Sequence, residues 1–306
     1  MTPNIAELAA LFTAMCYSAS SIFFTTAGRK FGPLVSNRLR LIVAIILLGI
    51  IHWIYFGSPI PLNAGLQRWL WLGTSGIVGL AIGDLFLFQA YVLLGPRMGL
   101  LFLSLSPALA SLLAWLILGE TLSLGSIAGI VITLAGITWV VLESHNNSSP
   151  DQTSPLRYQN GYLKGVGAGL IAAIGQALGV VLAKNGLSNN FPALSGNVIR
   201  MTAAVLALWG VTFLQGQVIS TVKQAKYQPS GMLYILGGAI FGPLIGVSLS
   251  LFAIQHTSIG IASTIIALPP VFLLPIGYLF FKENITWRAV LGTFFAIIGV
   301  ALLFLL

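Results

Sequence analysis

Residues 79–90 read GLAIGDLFLFQA and residues 242–253 read GPLIGVSLSLFA. Both stretches are apolar, both carry glycines four residues apart, and a displacement of 163 positions lays Gly79 on Gly242, Gly83 on Gly246 and Ala90 on Ala253. Extended without a gap, the same displacement lays Leu105 on Leu268, Pro107 on Pro270, Glu120 on Glu283, Gly129 on Gly292 and Gly136 on Gly299. Nearer the N-terminus a displacement of 160 lays Asn37-x-x-Arg40 on Asn197-x-x-Arg200. Coincident leucines are cheap in a chain like this one, but coincident Gly, Pro, Glu, Asn and Arg are not. The chain therefore reads as an internal duplication.

Composition says what was duplicated. Of 306 residues, 57% are hydrophobic and only 7% charged, with a mean hydropathy of +0.98. Soluble domains carry about 25% charged residues. Fourteen Lys+Arg and six Asp+Glu cannot cover a water-facing surface of this size, so a soluble enzyme, a nucleic-acid binder and a disordered chain are excluded together. The net charge of +8 comes from basic residues scattered through short loops, where they report topology and meet lipid headgroups rather than nucleic acid. Cys16 stands alone, which excludes an internal disulfide and a cysteine metal site. Glu7 ahead of the first apolar run, with no basic leader, does not resemble a cleaved signal peptide.

A helix crosses the hydrocarbon core with about 20 apolar residues. Such runs occur at roughly 6–27, 34–56, 68–92, 98–118, 122–142, 161–184, 192–214, 230–254, 258–281 and 285–306. They are apolar throughout instead of alternating, which excludes a membrane β-barrel. The polar stretch 143–160 divides them into five and five. An odd number of spans per copy turns the second copy over in the bilayer. The expected fold is an all-α membrane protein of ten transmembrane helices, arranged as two inverted five-helix repeats, residues 1–142 and 161–306, joined by the linker 143–160.

The run from Gly95-Pro-Arg-Met-Gly through Leu105-Ser-Pro107 and Leu118-Gly-Glu120 to Gly129 and Gly136 resembles the EamA repeat of the drug/metabolite transporter superfamily. A second copy runs from Ser258 through Pro270 and Lys282-Glu283 to Gly299. The resemblance covers essentially the whole chain. It implies a secondary transporter whose central cavity is lined by the first four helices of each half, with the fifth peripheral. It does not imply one substrate, since that superfamily carries amino acids, sugars, nucleotides and drugs.

Among the residues, Asp84 is the sharpest candidate, an acid with apolar helix on both sides. A charge at that depth costs about 2.5–3.5 kcal/mol on insertion scales and is retained where it moves a proton or meets a substrate. Its alternative is a cap on a broken helix beside Gly83, or an ion pair with an arginine. Its repeat partner is Val247, so the scaffold does not require an acid there. Arg40 and Arg200 could hold a carboxylate or phosphate bidentately, or serve as snorkelling scaffold residues. Gln89, Gln176 and Tyr17 are polar groups in apolar spans, either lining the site or joining helices. Pro107, Pro270 and Pro243 are expected to interrupt their helices and act as hinges, and Glu120 and Glu283 to cap matching turns. The glycine pairs Gly79/Gly83, Gly175/Gly179 and Gly238/Gly242 are small-xxx-small packing sites. His52, His145 and His256 fall far apart at span ends or in the linker, and no nucleophile motif, phosphate loop or metal spacing accompanies them.

The expected function is therefore secondary transport of small polar metabolites such as amino acids, in the export direction, with Asp84 carrying a proton or holding a cationic group. The alternative is a flippase for a lipid or lipid-linked headgroup, with a basic opening near Arg97 or Arg29-Lys30. A membrane enzyme would need several titratable groups at one depth, and the sequence offers essentially Asp84. The expected partners are a small-molecule substrate and membrane lipids; a homodimer is allowed, and no cofactor, metal or nucleic acid is expected. The setting is a cell membrane, crossed many times. Basic residues gather in the loops on one side, which by the positive-inside rule puts both termini outside, whereas relatives of the resembled superfamily place both inside. A C-terminal reporter active only in the cytoplasm is expected to stay silent; cytoplasmic activity would reverse the orientation.

Overall fold

A computed structural model describes residues 3–118, 123–147, 155–188, 191–256, 265–281 and 286–305, and every regular element among them is helical. In chain order these are α1 (Pro3–Phe31), α2 (Pro33–Phe56), α3 (Leu66–Gly76), α4 (Asp84–Leu94), α5 (Pro96–Leu103), α6 (Ser106–Leu118), α7 (Leu124–Asn147), α8 (Pro155–Gly186), α9 (Ala193–Leu214), α10 (Val218–Tyr227), α11 (Pro229–Ala239), α12 (Val247–His256), α13 (Pro269–Phe281) and α14 (Trp287–Leu305). Eight helical stretches among the described residues are long and apolar enough to cross a membrane. A shorter apolar helix covers Trp287–Leu302, and α13 has 13 residues. The described residues are thus all-helical in their regular structure, and the protein is a multi-pass membrane protein.

The duplication is visible in the element boundaries. α3 and α4 are joined by a π-helical turn, Ile77–Gly83, and α11 and α12 by another, Ile240–Gly246. The two turns lie 163 positions apart, the displacement at which the sequence repeats. In each the ladder lengthens by one residue: the Asp84 N–H reaches the Gly79 carbonyl, and the Val247 N–H reaches the Gly242 carbonyl. Pro243 sits inside the second turn, where a residue without an N–H loosens the ladder. The first turn has no proline and relies on its glycines.

Some boundaries differ from the sequence reading. Helix α7 continues to Asn147 and α8 starts at Pro155, so the stretch 143–160 is helical at both ends. The short helix α10 interrupts what reads as a loop, and most of its side chains are exposed. The fourth span breaks at Ser104–Leu105. Pro107 then falls on the second residue of α6, and Pro270 on the second residue of α13. At these positions a missing N–H removes no helical bond, so the two prolines follow a break instead of kinking a continuous helix. Pro243 and Pro275 are the ones inside helices. Glu120 and Glu283 lie outside the described residues.

The burial pattern is that of a membrane bundle. Large apolar side chains face outward, among them Ile54, Phe213 and Leu214, while Asn37, Ser36, Thr25 and Thr133 are fully buried. Glycines bring helices into contact. A Cβ on Gly175 would stand 3.0 Å from the Gly83 Cα, and one on Gly179 would stand 3.1 Å from the Gly79 Cα. The third span thus lies directly on α8, from the other repeat. On the opposite side Gly242 meets Ser20 and Gly246 meets the Tyr17 ring, so α1 packs on the second π turn. Helices α7 and α14 form a third tight seam. Gly136 faces Gly292 and Ala296, while Gly299 faces Gly129 and Thr133. The contact numbers rise along one helix as they fall along the other, so the two helices run antiparallel.

The seam sets a stability prediction. A Cβ on Gly136 would come within 2.5 Å of the Ala296 nitrogen and 2.8 Å of the Gly292 oxygen, both backbone atoms that cannot turn aside. Gly136→Leu is expected to cost about 1–3 kcal/mol or more, read as a lower Tm in detergent. Gly210→Leu, at a glycine with open space around it, is expected to leave Tm unchanged.

Candidate functional site

The site grows out of the first π turn. Widening a helix by one residue frees carbonyls that hydrocarbon cannot satisfy, so side chains must claim them. Asn37 Nδ2 donates to the Leu80 oxygen at 3.3 Å and to the Ala81 oxygen at 3.0 Å. Arg40 Nη2 donates to the Leu80 oxygen at 3.2 Å. Gln176 Nε2, from α8 in the other repeat, donates to the Gly79 oxygen at 3.1 Å. The Asn-x-x-Arg spacing puts both α2 side chains on one helical face, opposite the turn.

Asp84 begins α4 where the turn ends. Its Oδ2 meets Arg40 Nη2 at 2.7 Å, with the two side chains 7% and 6% exposed. Its Oδ1 accepts a hydrogen bond from Gln176 Nε2. The carboxylate is thus held by α2 from its own repeat and by α8 from the other. The Arg40 guanidinium also lies 5.8 Å from the Phe24 ring centre and 5.4 Å from that of Phe88, which supply a polarisable wall where water is excluded.

Arg200 approaches the same turn from α9. Its backbone lies against Gly76, and its Nη2 is 3.6 Å from where a Cβ on Gly79 would stand. Gln176 Oε1 is 3.7 Å from that point. Arg200 is close enough to Asp84 and Tyr17 to interact with both electrostatically. Tyr17 lies on the side of the second turn, its hydroxyl 3.5 Å from Ser250 Oγ. Asp84, Arg40, Gln176 and Arg200 therefore form one cluster with Tyr17 at its margin. Gln89 is half-buried, five residues past Asp84, and makes no hydrogen bond to the cluster. Asp84 and Arg40 are each only 5% exposed, so the described residues close around the pair.

Two arginines near span ends, Arg38 and Arg97, are buried. Arg38 is 2% exposed and donates to Gln217 Oε1 at 2.9 Å and to Thr221 Oγ1 at 3.3 Å, tying α2 to the start of α10. Arg97 is 5% exposed. His52, expected at a span end, is fully buried, with Nε2 2.9 Å from Ser195 Oγ, and joins α2 to α9. These placements depend on cross-chain partners, which carry no local signal. The exception is Asn37, whose repetition as Asn197 marks it.

A bundle of lipid-facing helices closed by glycine seams around a buried charged cluster is built as a multi-pass membrane transporter. Residues 4–142 and 163–305 each match the EamA-like transporter family, and the chain belongs to that family. It is similar to an uncharacterized transporter of Archaeoglobus fulgidus, 24% identical over 304 residues, covering 97% of each chain. A chloroplastic WAT1-related protein of Arabidopsis thaliana is 21% identical over 271 residues, which is 89% of this chain and 62% of that one. A solved crystal structure superposes with a TM-score of 0.59 at 17% identity, covering 98% of this chain and 96% of the other, a likeness of fold. Family and named transporter relative together point away from an enzyme.

The ion pair sets its own test. Removing one member of a buried pair strands the other and costs about 3–5 kcal/mol, while replacing both by apolar groups costs far less. Arg40→Met alone is expected to lower Tm sharply, and Arg40→Met with Asp84→Leu to recover most of the loss. Equal destabilisation by both would show that the pair does not hold the turn.

Proposed function

We propose that the chain is a secondary active transporter of small polar metabolites, such as amino acids or related compounds, coupled to protons through Asp84. The observation that carries this reading is the grip on Asp84: Arg40 from the first repeat and Gln176 from the second hold one carboxylate. Protonation removes the charge that Arg40 pairs with and weakens the bond to Gln176, so one proton loosens a contact between the repeats. In this reading the repeats are two inverted five-helix halves that rock about the Asp84 cluster, exposing it to each side in turn. The opposed contacts of α7 and α14, and of the third span and α8, support that arrangement. The closed surroundings of Asp84 suit an occluded intermediate. Transport of this kind is reversible, and net flow is outward when the outward gradient of the metabolite exceeds the opposing gradient of the coupled proton, which is the exporter mode. For the flippase alternative, Arg97 is buried, and the exposed pair Arg29-Lys30 is the basic opening that remains.

In proteoliposomes with an imposed pH gradient, Asp84→Asn is expected to abolish gradient-driven transport while keeping the size-exclusion profile of the parent. Undiminished gradient-driven transport by that variant would overturn the assignment of Asp84.

A further inference from the structure

The repeats share the Asn-x-x-Arg pair but not its counter-ion. Arg40 is paired with Asp84. Arg200, its equivalent 160 positions on, forms no hydrogen bond or ion pair among the described residues, and its Nε is buried without a partner. Asn197, three residues earlier on the same helix face, has a buried Nδ2 that is also unpartnered, whereas the equivalent Asn37 satisfies two carbonyls. The cause is in the sequence: the position equivalent to Asp84 is Val247. The cluster thus holds two arginines and one aspartate, a formal charge of +1, with the phenols of Tyr17 and Tyr91 as its other titratable neighbours. Arg200 is half-buried, and a cation inside a membrane bundle without a counter-ion is costly and a candidate to meet an anion.

We propose that the missing anion belongs to the transported molecule: Arg200 receives a substrate carboxylate or phosphate at the first π turn, beside Gln176 and within reach of Tyr17. A Cβ on Gly79 would stand 3.6 Å from Arg200 Nη2 and 3.7 Å from Gln176 Oε1, so both polar side chains converge on one point of the turn. Arg40 is the wrong arginine for the task, since Asp84 already occupies it. This assignment rests on the transporter reading and narrows it from polar metabolites to anionic ones. It also fixes the sign of coupling. Protonating Asp84 raises the cluster from +1 to +2 and relieves repulsion of the arriving anion, so proton and anion bind together and travel together. The groups facing Asp84 that take part are Arg40 on α2, Arg200 on α9, Tyr17 on α1 and Tyr91 on its own helix.

The test is ligand-induced thermal shift on the purified chain, followed by transport in proteoliposomes. The probes are glutamate and succinate, inorganic phosphate and glucose 6-phosphate, a short-chain phosphatidylglycerol, and lysine and glucose as cationic and uncharged comparators. Anionic probes are expected to raise Tm and the comparators to leave it flat. The carboxylate, phosphate and lipid arms say which source supplies the anion. Arg200→Gln is expected to weaken anion binding about 10–100-fold, the range for a lost charge-assisted hydrogen bond, and Arg200→Lys to restore part of it. Asp84→Asn is expected to tighten anion binding several-fold, where a cation site would lose binding. A response to lysine or glucose alone, or full anion binding by a folded Arg200→Gln, overturns the anion site. Proton-driven movement of a neutral or cationic probe would leave the transporter reading standing and remove this one. Anion binding with no transport would do the reverse.

Discussion

A carboxylate and a guanidinium 2.7 Å apart, with less than a tenth of either exposed, sit beside a helical turn that is one residue too wide. Hydrocarbon makes the two features depend on each other. The wide turn frees carbonyls that need donors, and the donors are long polar side chains that must be neutralised. Arg40 answers both demands, since one of its nitrogens meets the Leu80 oxygen and Asp84 together. Asn37 donates to the neighbouring Ala81 oxygen, and Gln176 adds a second donor at the Gly79 oxygen. The turn, the charges and the glycine contact with α8 then stand or fall as one unit.

The glycines explain why that unit lies between the repeats. A polar side chain on α8 reaches the third span only if the two backbones nearly touch, and Gly79 against Gly179 with Gly83 against Gly175 allow it. Ser75 uses the same closeness to donate to the Gly179 carbonyl. At the second π turn the partner is α1, whose Phe24, Ser20 and Tyr17 fill the space that α8 leaves to backbone at the first. One repeat therefore meets its neighbour through bare backbone and the other through side chains. Duplication preserved the turn but not the surface packed on it.

Much of this was legible in one dimension. Apolar run length placed the spans, and the repeated glycines and the repeated Asn-x-x-Arg announced the duplication. Asp84 stood out because a lone acid at that depth is expensive. Rotation and partnership were hidden. Nothing near Arg38 in sequence says that it turns inward to Gln217 and Thr221 instead of outward to lipid headgroups, and the same holds for His52 and Ser195. The first π turn was hidden too, because no proline marks it. Pro107 and Pro270 mark interruptions, but each sits on the second residue of the helix that follows the break and not at the break itself.

The seam between α7 and α14 has a property of its own. Gly136 lies against Gly292, which repeats Gly129, and Gly299, which repeats Gly136, lies against Gly129. Thr133 donates to the carbonyl of Ala296, its own counterpart at 163 positions. A surface that meets its own copy in this reciprocal way is self-complementary, the hallmark of an isologous interface. Such a surface can assemble from a single gene product. The seam inside this chain thus has the geometry of a contact between two like surfaces, although the charges near the two π turns differ.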